Sequence, residues 1–336
     1  MKSLLALLLL ATTAGADPLP GFDRLAVNAP HRPRPLEAAI WYPPASETYT
    51  AAVGANPLFA GTMVQLGTAI EPGPHPLVIL VHGSGGNIEN LGWLAEGLAA
   101  RGAIVAGVNH PGATSGDSSP RQLPYVLHRT QDVAALVSTL RADPAFGPAL
   151  DPAQVSVIGF SLGGATALAA GGARFDAAAF AAYCDRYGKD ASECAFMAMG
   201  GADPKAMPPE FEADMKVPGL SRIIAVDPAL SHALVEGSLA ALPPVHLVKL
   251  GEGTDLVPPA RDIGPEGSGL AARIPGATFA NIAPGWHFSF LGLCNPGAEA
   301  MLEAEDEDPI CSDPAGVDRA AFHAKAIADI AAALGL

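Results

Sequence analysis

The chain has 336 residues and a formal net charge of −15, with 19 Lys+Arg against 34 Asp+Glu; 49% of it is hydrophobic and 16% charged. That balance excludes an intrinsically disordered chain, which combines low hydrophobicity with dense charge. It also excludes nucleic acid as an expected partner, because neutralising phosphates takes clustered Lys and Arg.

At the N-terminus, Lys2 precedes an apolar run over 4–10 and the small triplet Ala14-Gly15-Ala16. This pattern predicts a secretory signal peptide over 1–16 and a mature chain over 17–336. The run is far shorter than the roughly 20 residues that span a bilayer. No Cys follows the expected cleavage site, so no stable membrane anchor is expected and the mature chain reads as exported, periplasmic or secreted.

Residues 25–27 and 36–41 read as an antiparallel strand pair, and the apolar run 77–81 as a strand buried on both faces. Beyond a Gly-rich turn, Ile88, Leu91, Leu94 and Leu98 recur at helical steps until Arg101-Gly102. A strand over 103–108 leads to the turn His110-Pro111-Gly112. A helix over 132–141 follows, with Val133, Leu136, Val137 and Leu140 on one face. Strand 155–158 runs into a small-residue helix over 162–170; strands 223–226, 245–250 and 277–282 and a helix over 318–334 complete the series. Strands alternating with helices predict an α/β fold, a mostly parallel central sheet with helices on both faces. Two segments break the rhythm. Residues 174–218, rich in Ala, Met and Pro, read as a small inserted cap, and 295–316 as an acidic excursion.

Gly159-Phe160-Ser161-Leu162-Gly163 follows a predicted strand and opens a predicted helix, the context of a nucleophile elbow. A tight strand-to-helix turn lifts the Ser161 hydroxyl above the sheet edge and aims the Leu162 N–H at a developing oxyanion. A serine needs a base, and His287, just beyond the last predicted strand, is the candidate among nine histidines. His82-Gly83-Ser84-Gly85-Gly86 ends the 77–81 strand and can supply a second oxyanion donor, the Ser84 N–H, with that of Gly83 as alternative. The acid that orients the imidazole is either Asp227, closing strand 223–226, or Asp255, after the next strand.

No cofactor is expected. A dinucleotide loop fails because Ile88 stands where the third glycine belongs and the next strand ends at Asn109 rather than an acid. Nor is a metal site, since the acidic run 303–308 lacks the spacing and central glycine of a calcium loop. The four cysteines form two sequence-local pairs, Cys184 with Cys194 and Cys294 with Cys311, read as disulfides in an exported chain. Met197, Met199, Met207 and Met215 fall within 174–218, either as an adaptable acyl pocket or as that segment's own core.

Together these residues resemble the α/β-hydrolase superfamily, and within it bacterial exported proteins of the predicted dienelactone hydrolase and platelet-activating-factor acetylhydrolase-like kind. The likeness is carried by Ile40-Trp41-Tyr42-Pro43, the His82 to Gly86 turn, Asn109-His110-Pro111-Gly112, the elbow, Val226-Asp227-Pro228-Ala229-Leu230 and His287-Phe288-Ser289-Phe290-Leu291. It implies a serine esterase acting on small-molecule esters, and it favours Asp227, because acetylhydrolase-like relatives place the acid after that strand. True dienelactone hydrolases use a cysteine where Ser161 stands. Lipid acyl or polyester hydrolysis, and a non-catalytic ligand-binding role on the same fold, are the competing expectations.

Overall fold

Apolar runs separated by helical stretches fold into one large mixed sheet. The computed structural model describes residues 18–252 and 263–336. In chain order the strands are β1 (Gly21–Val27), β2 (Leu36–Tyr42), β3 (Tyr49–Val53), β4 (Thr62–Leu66), β5 (His75–Val81) and β6 (Ile104–Val108). A short ribbon of β7 (Ala113–Thr114) and β8 (Asp117–Ser118) is followed by β9 (Leu150–Phe160), β10 (Arg222–Val226), β11 (Val245–Leu250) and β12 (Thr278–Ile282). Apart from the ribbon, the order across the sheet is β12-β11-β10-β9-β5-β6-β2-β1-β4-β3. Strands β6, β5, β9, β10, β11 and β12 run parallel, and β2 reverses direction against both β6 and β1.

The alternation of β5 shows why this sheet is covered on both faces. Leu77, Ile79 and Val81 pack into one core with residues of α2 (Val126–Ala142) and α3 (Leu162–Gly171), whereas Val78 and Leu80 point into a second core. That second core is closed by α1 (Gly92–Ala99) and the C-terminal helix α9 (Arg319–Leu334). Asp318 caps α9 by accepting from the Ala320 and Ala321 amides. Parallel strands all end on one side, so the turns after β5, β6, β9 and β10 gather along a single edge.

Several elements are longer than the sequence suggests. α2 starts at Val126, six residues before its expected start, because buried Arg129, Thr130 and Asp132 interrupt the apolar stripe that marks a helix. The hairpin β3–β4 was not anticipated. Its burial is shallow, with Tyr49, Met63 and Leu66 exposed, so it lacks an apolar run.

Cys184 is bonded to Cys194 and Cys294 to Cys311, which fits an exported protein. Among the described residues no helix is long and apolar enough to cross a membrane. Residues 1–16, the expected signal peptide, lie outside the described residues. Segment 174–218 holds α4 (Ala177–Tyr187) and α5 (Ser192–Met199) and packs on the α2–α3 side, where Phe175 and Phe180 meet Phe211. Met197 and Met215 are buried there and Met199 is 82% exposed, which favours the core reading of these methionines over the pocket reading.

The 294–311 bridge closes a loop with a sequence separation of 17. Replacing both cysteines by serine should lower unfolding stability by about 3 kcal/mol through loop entropy, read as a fall in the urea midpoint.

Candidate active site

Ser161 stands between β9 and α3 at φ 57°, ψ −119°, a backbone conformation an L-residue adopts only when its surroundings enforce it. The enforcement is steric. A Cβ on Gly159 would collide with the Gly163 carbonyl, and one on Gly163 with the Val81 carbonyl. The turn is also tied to the next strand, since Ser161 N donates to Val226 O at 2.9 Å and Ala229 N to Ser161 O at 3.0 Å. A Cβ on Gly164 would lie 2.8 Å from Pro228 Cα, so the elbow and the turn after β10 are pressed together.

That second turn carries Asp227, fully buried and at φ 40°. Its Oδ1 accepts from Leu250 N at 2.9 Å and its Oδ2 lies 3.1 Å from His287 Nδ1. Burial pushes the Asp227 carboxyl up, and the bonds from His287 and Leu250 N–H oppose that rise. An acceptor-only carboxylate beside Nδ1 leaves the other ring nitrogen, Nε2, as the one free to take a proton. Asp255, the alternative acid, lies outside the described residues.

The Asp227 turn and the turn that carries His287 are braced from behind, mostly by residues that sequence reading passed over. Buried Glu193 of α5 accepts from Leu230 N at 2.9 Å and from Tyr183 Oη at 2.9 Å, so segment 174–218 props the turn that carries Asp227. The His287–Phe290 turn is held by Ser289 Oγ donating to Asp313 at 2.6 Å, and Asp313 is in turn paired with Arg319. His323 Nε2 donates to the Ser289 and Leu291 carbonyls, and its ring stacks on Trp93 at 3.8 Å.

Ser161 and His287 line one cleft of about 830 Å³, together with His82, Gly83, Ser84 and Phe160. A Cβ on Gly83 would come within 3.1 Å of Ser161 Cβ, so the turn after β5 lies directly against the serine. Neither Ser84 N nor Leu162 N has an acceptor among the described backbone bonds. The outer wall comes from α8 (Ala298–Ala304) and the residues after it, with Met301, Leu302 and Ile310, and from the β3–β4 loop with Leu58 and Phe59. (Single-turn helices Glu236–Leu239 and Leu270–Arg273 are α6 and α7.) Described residues of 174–218 contribute nothing to this lining. The acidic excursion does, through exposed Glu305, Glu307 and Asp308. Among the described residues no group of three or more His, Cys, Asp or Glu is placed to hold a metal ion.

Behind the β5 turn lies a second polar cluster. Asp132 accepts from His31 Nε2 at 2.8 Å, Arg32 Nη2 at 2.7 Å and His110 Nδ1 at 2.8 Å. Burial alone would raise its carboxyl, but the bonds from His110 and Arg32 prevail and hold it well below the usual carboxylate range. Burial and the nearby Arg129 guanidinium push His110 down to about 4 and His82 well below its ordinary value. The signal in the sequence is a charged pair, Arg129 and Asp132, three residues apart on the face that Val133 and Leu136 make apolar.

The profile for the alpha/beta hydrolase fold matches residues 76–174, which holds β5 through α3, the helix that follows Ser161. Among curated proteins none matches the chain significantly. Solved structures share the architecture: a ferulic acid esterase from Streptomyces cinnamoneus aligns with TM-score 0.58 at 20% identity, over 96% of this chain and 91% of its own. The esterase Est22 aligns with TM-score 0.50 at 13% identity, over 94% and 80%. With this sheet order and this strand–elbow–helix unit, the chain has the α/β-hydrolase fold.

The buried imidazoles set an acid limit on stability. Burial also pushes His323 down to about 4. Unfolded imidazoles take up protons near pH 6.5 while the folded ones stay neutral, so below that pH the unfolded chain binds more protons. Stability should therefore hold above about pH 6.5 and fall steeply toward pH 4, by up to roughly 3 kcal/mol per histidine. Urea unfolding across that range is the measurement.

Proposed function

We propose that this chain is a serine carboxylic-ester hydrolase that works outside the cytoplasm. The observation that carries the reading is the buried Asp227–His287 pair at 3.1 Å, whose imidazole lines the same cleft as a serine held at φ 57°. In this reading Ser161 Oγ attacks the ester carbonyl carbon as His287 Nε2 accepts its proton. The oxyanion receives hydrogen bonds from Leu162 N–H and Ser84 N–H, with Gly83 N–H the alternative to the latter. Collapse breaks the acyl carbon–oxygen bond, and the alcohol leaves with the proton from His287. Water then attacks the acyl-enzyme with His287 again as base, and the acid is released. Asp227 keeps the Nδ1–H tautomer throughout.

The cleft also bears on substrate. Its wall is apolar at Phe59, Leu91, Phe288, Leu291, Met301 and Leu302, which suits short or medium acyl chains. Three carboxylates stand at its rim, and among the described residues no Lys or Arg lines it. That field repels an anionic acyl or alcohol group.

A fluorophosphonate probe should label the protein, and Ser161→Ala should abolish the labelling. Asp227→Asn should lower turnover about 10⁴-fold; a near-normal rate would transfer the acid's role to Asp255. A p-nitrophenyl ester with a terminal carboxylate should be cleaved at least about tenfold less efficiently than its uncharged isostere, with the gap narrowing as salt is added. Equal rates at low salt would remove the charge argument.

A further inference from the structure

The buried cluster behind the β5 turn has no part in the proton transfers above, yet its hydrogen bonds run directly to the oxyanion turn. His82 is 1% exposed, and its two ring nitrogens have different partners. The His110 backbone N–H donates to His82 Nε2 at 3.1 Å, so Nε2 is bare. The ring's proton must then sit on Nδ1, where it is donated to the Gly83 carbonyl at 2.7 Å. Burial, Arg129 and the neighbouring His110 keep the ring neutral, which the bare nitrogen requires.

The Gly83–Ser84 peptide is not among the cis bonds, so its N–H points opposite to its C=O. Fixing the Gly83 oxygen therefore fixes the direction of the Ser84 amide. The same oxygen also accepts from Gly86 N at 3.4 Å, a weaker tie that leaves the imidazole as the main anchor. Arg129 supplies a second constraint. Its Nη2 donates to the His82 carbonyl, and its Nε donates to Thr166 Oγ1 at 3.1 Å. Thr166 Oγ1 in turn donates to Leu162 O at 2.8 Å. One buried guanidinium thus links the turn bearing Ser84 to the helix end bearing Leu162.

We infer that His82 is a positioning residue: its imidazole, locked as the Nδ1–H tautomer by the His110 amide, holds the Gly83–Ser84 peptide with its N–H turned to the oxyanion, while Arg129 sets the spacing to the Leu162 amide. The inference rests on the hydrolase reading and adds a residue that never touches substrate. Loss of this anchor should weaken an interaction made only as the oxyanion forms, so it should appear in kcat and not in KM.

The test compares His82→Leu with His82→Asn, whose amide can still donate to the Gly83 oxygen, on p-nitrophenyl butyrate. The leucine variant should lose about 10²-fold in kcat with KM within about twofold, and the asparagine variant should recover at least about tenfold of that loss. In the wild-type protein, ¹⁵N spectra of the histidine rings should find His82 protonated at Nδ1 and bare at Nε2 at the pH of the assay. A folded leucine variant with kcat within about threefold of wild type overturns the role, as does an Nε2-protonated His82. Should the leucine variant not fold, the ring spectra and the asparagine variant decide. A wild-type chain that neither hydrolyses esters nor reacts with the fluorophosphonate overturns the hydrolase reading itself, an outcome distinct from an active enzyme indifferent to His82.

Discussion

The close approach of β9, α3 and β5 at the elbow is the constraint on which the site depends. Only glycine at 159 and 163 lets these backbones come within contact of each other. The compression holds Ser161 in a positive-φ conformation that costs of order 1–3 kcal/mol and would otherwise relax. The strain persists because both sides of the turn are fastened, to Val226 on the preceding side and to Ala229 on the following one. Placing the serine thereby places the turn carrying Asp227, and His287 is reached from Asp227. Ser161, Asp227 and His287 are thus linked through one tight corner of backbone.

Around that corner the two irregular segments have different work. Segment 174–218 stands behind the Asp227 turn, with Glu193 holding the Leu230 amide and its aromatic residues filling the α2–α3 core. The acidic excursion stands in front and walls the cleft, fastened by the 294–311 disulfide and by Arg319. The β3–β4 loop meets it there, as Asn295 N donates to Leu58 O at 2.8 Å and Ala60 N to Leu293 O at 2.8 Å.

Most of the sheet was legible because strands buried on both faces must be apolar throughout, as residues 77–81, 104–108 and 223–226 are. The tight turn at Ser161 was legible because a glycine-flanked serine between strand and helix has a steric cause. The choice between Asp227 and Asp255 could not be made from residue types, since an aspartate in a turn looks the same whether or not an imidazole faces it. Arg129, Asp132 and Glu193 were missed for the opposite reason. Charged residues are ordinarily assigned to solvent, and only tertiary partners reveal that these are enclosed. The β3–β4 hairpin escaped because a strand at a sheet's margin, wetted on one side, needs no apolar signature.

The separation of chemistry from cleft wall has an evolutionary consequence. Ser161 and Asp227 are lodged in tightly bonded turns at the strand ends, whereas the outer wall is tied on by one sulfur–sulfur link, one arginine and a few hydrogen bonds to a neighbouring loop. Residues 298–310 can therefore vary in length and character while the turns that hold Ser161 and Asp227 keep their dimensions. On the proposed hydrolase reading, divergent descendants of this chain would be expected to differ in diet far more readily than in reaction.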